Sequence, residues 1–277
     1  MSHRYHHITV SINSSHKPPY YTGSMLRGAL GYALKKVTCI NPSFRCEGCF
    51  AQSSCLYYDF YERENIQHKF RLDIELDSKR YDFGLYLFGD ACEKLPYILS
   101  SLQMALAENG IGKNRDKFTD ITIDVNQERV YSHGSFTNSL NIAPNTLEIP
   151  EHQSNLKIHL LTPLRIKKAN TIELKDISIE DILRSIHQRS SQIFADQTIH
   201  RLDFTPTYTT TIKALNHKLL YRKSNRQGRK INIDGVIGEI AVIGLDEQSY
   251  TLLKLGELIG VGKQTVFGLG RIKVEEI

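Results

Sequence analysis

Two stretches about 150 residues apart follow one plan: "AENGIGKNRDKFTDITIDV" (107–125) and "GELIGVGKQTVFGLGRIKV" (256–274). Each runs from a helical pattern into Gly-x-Gly-Lys, then a short spacer, a phenylalanine and an alternating strand. An internal repeat fixes the number of folding units before any local motif is read. The rest of the chain divides to match.

In the first half, "HRYHHITVSI" reads as a strand. "TGSMLRGALGYALKKV" reads as a helix, with Met25, Leu26, Ala29, Leu30, Ala33, Leu34 and Val37 at helical spacing. "KFRLDIEL" and "RYDFGLYLFG" are paired strands, "EKLPYILSSLQMALAE" is a second helix, and "FTDITIDVNQERVY" is one further strand. That order is β-α-β-β-α-β, the ferredoxin-like pattern. Residues 134–154, rich in Ser, Asn, Pro and Gly, read as a linker. The pattern then restarts with "NLKIHLLTPLRI", "SIEDILRSIHQRSSQIF", the strand candidates "TTIKALNHKLLYRKS" and "DGVIGEIAVIGL", the helix "EQSYTLLKLGELIG" and the strand "GRIKVEE". The expected fold is α+β, with tandem ferredoxin-like domains at 1–140 and 155–277. The first carries a cysteine-rich insertion at 38–58, and the second ends in a glycine-rich loop.

Apolar runs stay far below the ~20 residues of a membrane span, so none is expected. The N-terminus lacks the apolar stretch of a secretory signal, which points to a cytoplasmic protein. Net charge is unevenly placed. Residues 155–277 hold 19 Lys+Arg against 13 Asp+Glu, and residues 1–154 hold 16 against 17. A basic second half suits an anionic partner, although the pI near 8.8 is below that of dedicated nucleic-acid binders.

The C-terminal loop is not a nucleotide-binding P-loop. That motif would need a glycine where Glu257 stands and Ser or Thr where Gln264 stands. What remains is G-x-G-x5-G-x-G at Gly260, Gly262, Gly268 and Gly270, with Lys263 inside it. Bare amides and one lysine suit an anion. The same glycines would equally serve a turn that needs positive φ.

Four of the five cysteines, Cys39, Cys46, Cys49 and Cys55, form C-x6-C-x2-C-x5-C. Four thiolates make a closed, structural zinc site, and Gly48 would allow the tight turn in its C-x2-C arm. Unligated thiols or redox chemistry are the other readings, and disulfides do not suit a cytoplasmic protein. Cys92 reads as a small buried hydrophobe.

Two ferredoxin-like halves ending in G-x-G-x5-G-x-G resemble the RAMP superfamily of CRISPR-associated proteins. "GSMLRGALGYALKK" before the cysteines, "LLTPLRIKK", "YRKSNRQ" and "GVGKQTVFGLGRI" make the chain similar to the RAMP endoribonucleases that process precursor CRISPR RNA. The resemblance implies a C-terminal loop that helps hold CRISPR repeat RNA. It gives "YRKSNRQGRK", otherwise readable as a solvated basic face, a role in binding. Arg222, Lys223 and Arg226 would neutralise phosphates, Ser224 and Gln227 would bond to bases or 2′-hydroxyls, and Arg229 and Lys230 complete the run. Tyr221 would stack on a base or belong to the core.

The resemblance also implies cleavage with no cofactor. A 2′-hydroxyl attacks the neighbouring phosphate, leaving a 2′,3′-cyclic phosphate and a 5′-hydroxyl. Histidine suits the base and acid of that reaction, and a cation suits the phosphorane charge. In related nucleases the key histidine often lies between the first strand and the end of the first helix. That window holds one, His16, with Lys17 beside it. Tyr21 would orient the 2′-hydroxyl, and Lys17 or Lys35 would stabilise charge; the plain alternative for His16 is a solvated loop residue. A non-catalytic RAMP subunit holding guide RNA among effector-complex proteins is the second functional reading. A zinc-ribbon DNA-binding regulator would explain the cysteines and leave the repeat unexplained.

Overall fold

The computed structural model describes residues 3–137, 141–168, 171–198, 201–224 and 228–277. The chain splits into two compact units, Ser2–Thr146 and Leu147–Ile277.

The first unit runs β1 (Arg4–Ile12), α1 (Gly23–Thr38), β2 (Phe70–Asp73), β3 (Phe83–Phe88), α2 (Leu95–Gln103), β4 (Ile121–Val125), β5 (Glu128–Ser132), β6 (Ser135–Phe136) and β7 (Asn145–Thr146). Its sheet order is β2-β3-β1-β4-β5-β6, antiparallel throughout. The central strands have the ferredoxin-like arrangement, with the first between the third and the fourth. Period-2 alternation puts Ile8, Val10 and Ile12 of β1 in the core while Tyr5, His7 and Thr9 face the other way. The same alternation buries His6 and leaves His7 stacked on Tyr86, at 4.2 Å between ring centroids. Leu26, Leu30, Ala33 and Leu34 of α1 and Ile98, Leu99 and Leu102 of α2 supply the apolar helical faces. Each such leucine or isoleucine contributes about 1.5–3 kcal/mol on burial. Cys92 is buried, as expected, and donates weakly to the Leu87 carbonyl.

The second unit runs β8 (Leu156–Leu164), β9 (Ile166–Lys168), β10 (Thr171–Glu173), α3 (Ile179–Phe194), β11 (Thr210–Lys218), β12 (Tyr221–Ser224), β13 (Arg229–Asn232), β14 (Gly235–Ile243), α4 (Glu247–Ile259) and β15 (Ile272–Glu276). Its main sheet has the order β11-β14-β8-β15, the same ferredoxin-like arrangement. Ile158, Leu160, Ile240, Val242 and Ile272 of the strands and Ile182, Leu183, Ile186 and Leu253 of the helices are buried in its core. Gly256 lets α4 approach α3: a Cβ there would lie 2.5 Å from Ile186 Cδ1.

Three sequence expectations change. "FTDITIDVNQERVY" is a hairpin, because Asn126 (φ 51) and Gln127 (φ 72) make a two-residue turn between β4 and β5. "TTIKALNHKLLYRKS" divides at Leu219–Leu220, and its second part pairs with β13 as a separate hairpin. The linker is not structureless: Asn145 and Thr146 pair with Tyr5 and Arg4, so its first part belongs to the first unit. Among the described residues no helix is long and apolar enough to cross a membrane.

Candidate nucleic-acid interface

The glycine-rich loop leaves α4 at Gly260, and its amides are taken internally. Gly260 N–H donates to the Gly256 carbonyl, Val261 to Gly270, Gly262 to Ser185 Oγ and Lys263 to Arg165. Gly268 N–H donates to Thr265 and Gly270 N–H to Pro163. The bare amides expected to face an anion are therefore occupied. The glycines are there for close approach: a Cβ on Gly270 would lie 1.8 Å from the Val261 oxygen, and one on Gly262 2.5 Å from the Arg165 oxygen. All four loop glycines are buried and Lys263 is exposed, so the loop works as a rigid mount that presents one ammonium.

The basic run forms the β12–β13 hairpin. Lys223 sits directly opposite Lys230, and Tyr221 opposite Asn232. Tyr221, Lys223 and Lys230 thus share a face, with Lys230 Nζ 4.3 Å from the centre of the Tyr221 ring. Tyr221 is 44% exposed, which removes the core reading. Arg222 and Arg229 take the opposite face, and the Arg222 guanidinium lies 4.6 Å over the Phe267 ring in the glycine-rich loop. That contact ties hairpin to loop and was not foreseen. Its only sequence trace is the phenylalanine that recurs in both repeats. An open groove of about 310 Å³ is lined by Tyr221, Arg222, Lys223, Gly228, Arg229 and Lys230. Arg226 and Gln227 lie outside the described residues, and Ser224 is described only through its backbone. At the hairpin base, buried Asp234 accepts from His217 Nε2 at 3.1 Å, and Arg165 donates to the Asp234 carbonyl.

His16 lies in the loop between β1 and α1, exposed, with its backbone N–H bonded to Ser14 Oγ at 3.1 Å. Lys17 Nζ is 3.8 Å from Asp77 Oδ1, and Asp77 N–H donates to the Tyr20 carbonyl. These contacts bring the β2–β3 loop to the His16 loop, a neighbour that sequence did not suggest. Tyr21 is half-buried in the same loop. Lys35 stands on α1 rather than in this loop. It lies twelve residues into α1 from Gly23, or ~18 Å along a helix rising 1.5 Å per residue. Its Nζ sits 4.9 Å over the Tyr57 ring.

The cysteines also differ from expectation. The C-x2-C turn is made, with Cys49 N–H donating to the Cys46 carbonyl at 3.3 Å and Gly48 at φ +65°. Cys39 instead ends α1, and its thiol faces the Asn41 carbonyl at 3.7 Å. Among the described residues no three His, Cys, Asp or Glu side chains come together to hold a metal ion. The four-thiolate site is thus not assembled. The segment is fixed by aromatic packing: Tyr57 stacks on Tyr61 at 5.4 Å, and Tyr61 lies over Gly31, where a Cβ would be 2.5 Å from its ring.

Two ferredoxin-like units, the second with a buried glycine loop tied to a cationic hairpin, define a RAMP-type architecture. Residues 2–145 match the family model AF_1859_N, an N-terminal domain, and residues 158–272 match that of the CRISPR-associated endoribonuclease Cas6. The first match spans more than half of the chain, so the chain belongs to that family, and over residues 158–272 the chain is similar to the CRISPR-associated endoribonuclease Cas6. An uncharacterized protein of Archaeoglobus fulgidus is 24% identical over 94% of this chain and 93% of its own. A Cas6 product complex superposes with a TM-score of 0.58 at 14% identity, covering 99% of this chain and 100% of the other. The Cas6 of Thermus thermophilus gives 0.56 at 12% identity, covering 99% and 100%. A Cas6-related protein of Pyrococcus furiosus gives 0.50 at 12%, covering 100% and 99%. At such identities the likeness is one of fold.

Proposed function

We propose that the chain cuts CRISPR repeat RNA in precursor CRISPR RNA, without a metal ion, by attack of a 2′-hydroxyl on the adjacent phosphate. Cutting leaves a 5′-hydroxyl and a 2′,3′-cyclic phosphate, and the protein retains the processed RNA. The observation that carries this reading is the match of residues 158–272 to the Cas6 endoribonuclease family, over the stretch that holds hairpin and loop. The Lys223–Lys230 pair adds to it. Like charges directly opposite across a hairpin weaken it, and a polyphosphate between them reverses that cost.

In this reading Arg222, Lys223, Arg229, Lys230 and Lys263 neutralise phosphates and Tyr221 stacks on a base. His16 takes the proton of the 2′-hydroxyl, Lys17 stands by the developing phosphorane charge, and Tyr21 orients the hydroxyl. The test is cleavage of the repeat RNA from the array nearest the gene, in excess EDTA. One cut with a cyclic-phosphate end is expected, and His16→Ala should slow it by about 10²–10⁴-fold, the range of general acid–base catalysis. Tight binding with no cutting by the wild type would leave a guide-RNA-binding subunit. Cutting that needs a divalent ion would overturn the chemistry.

A further inference from the structure

The cysteine-rich insertion serves neither ferredoxin-like core, yet it is built with care. It leaves the C-terminal end of α1 and returns through the Tyr57–Tyr61 stack seated on Gly31. Between them Asn41 organises a tight turn. Its Oδ1 accepts from Ser43 N–H and Oγ, its Nδ2 donates to the Arg45 carbonyl at 3.0 Å, and its own carbonyl accepts from Phe44 N–H at 3.0 Å. The turn holds Phe44 at φ +52°, a conformation that costs an L-residue about 1–2 kcal/mol. A strained aromatic on a braced turn is a reason to look for its purpose.

The insertion points its large apolar groups outward. Ile40 is 70% exposed, Phe44 50% and Phe50 77%, and Tyr32 on the adjoining turn of α1 is 53% exposed. Cations stand among them. Lys36 lies 4.8 Å over the Tyr32 ring, Lys35 lies over Tyr57, and Arg45 is exposed beside Phe44. Residues 35–56 hold three cations, Lys35, Lys36 and Arg45, against one acid, Glu47. Apolar rings alone would suit a protein partner. Rings interleaved with lysine and arginine, with so little negative charge, complement an unpaired polynucleotide, whose bases offer π-faces and whose phosphates meet the cations.

We infer that this insertion is a stacking platform for unpaired nucleotides of the bound RNA, with Phe44 and Phe50 as the base-stacking rings and Lys35, Lys36 and Arg45 as the phosphate contacts. The inference rests on the RNA-processing reading above. A paired duplex hides its base faces, so the platform takes single-stranded segments.

The test measures Kd for the repeat RNA and for a ten-nucleotide oligouridylate by fluorescence anisotropy at fixed salt. Phe44→Ala/Phe50→Ala should bind both RNAs about tenfold or more weakly, with its thermal unfolding unchanged because the rings are exposed. Phe44→Leu/Phe50→Leu, which keeps apolar area and loses the rings, should be weakened similarly, and the Tyr pair should bind as wild type. Wild-type affinity in the Ala or the Leu pair would overturn the platform alone. A wild type that binds neither RNA would remove the platform together with the RNA reading.

Discussion

The two halves end their second helices in the same way and then part. Gly110 and Gly112 sit at φ +76° each, and Gly260 and Gly262 at +77° and +79°. In the first half the turn closes on itself, with Ile111 and Asp116 exchanging backbone hydrogen bonds. In the second half the turn reaches outward, to Ser185 on α3 and to the Pro163 and Arg165 carbonyls of the β8–β9 segment. The additional pair, Gly268 and Gly270, turns the chain back at φ +78° and +69°, and Gly270 lets it lie against Val261. One device thus serves as a simple helix stop in one copy and as a mount for Lys263 and the Arg222–Phe267 contact in the other.

The largest effect that would separate the copies is on stability at corresponding positions. Gly262→Ala combines positive φ with a 2.5 Å approach to a backbone oxygen, and should cost about 2–5 kcal/mol in denaturant unfolding. Gly112→Ala meets only the flexible Met25 sulfur at 3.1 Å and should cost about 1–2 kcal/mol. Equal losses would erase the distinction between mount and stop.

A second difference lies in helix starts. Ser178 and Asp181 form a capping box on α3, whereas Thr22 before α1 makes no side-chain cap. Ser178→Ala should therefore cost about 1 kcal/mol, and Thr22→Ala should cost clearly less through capping. Melts of the two variants decide.

The α4 cap also titrates. Burial alone would raise Asp246, but hydrogen bonds from Thr207 and Ser249 outweigh it and hold the carboxyl below its ordinary 3.8. Its folded value being depressed, its stabilisation is complete above about pH 4 and is lost as pH falls through the folded value. Asp246→Asn should flatten the acid limb of a stability–pH curve, and an unchanged limb would deny the cap that role.

The smallest effect is the most diagnostic of binding. Lys223→Ala removes a like-charge pair and should leave the hairpin intact or stabilise it by a few tenths of a kcal/mol. It should also lower the salt slope of repeat-RNA binding by about 1. An unchanged slope would leave Lys223 as a solvated surface residue.

The fold was readable because hydrophobic period and the repeat agreed along most of the chain. The misses share a physical cause. The β4–β5 turn uses Asn126 and Gln127 rather than glycine, so alternation ran through it unbroken. The glycine loop looked anion-binding because sequence shows which residues have bare amides but not which amides are already bonded. Lys35 shares a sequence window with His16, but its place in α1 puts it ~18 Å along the helix from Gly23. Arg222 and Phe267 meet across 45 residues, which no local pattern reveals.

The central claim is a division of labour, with cutting by the His16 loop in the first half and holding by the hairpin and loop in the second. Binding and cleavage of one repeat RNA, measured side by side in EDTA for wild type, His16→Ala and Lys223→Ala/Lys263→Ala, test it directly. The expected result is wild-type affinity with lost cutting in the histidine variant, and weakened, more salt-tolerant binding in the lysine pair with cutting restored at saturating protein. A histidine variant that cuts at the wild-type rate, or a lysine pair that binds as wild type, would contradict it.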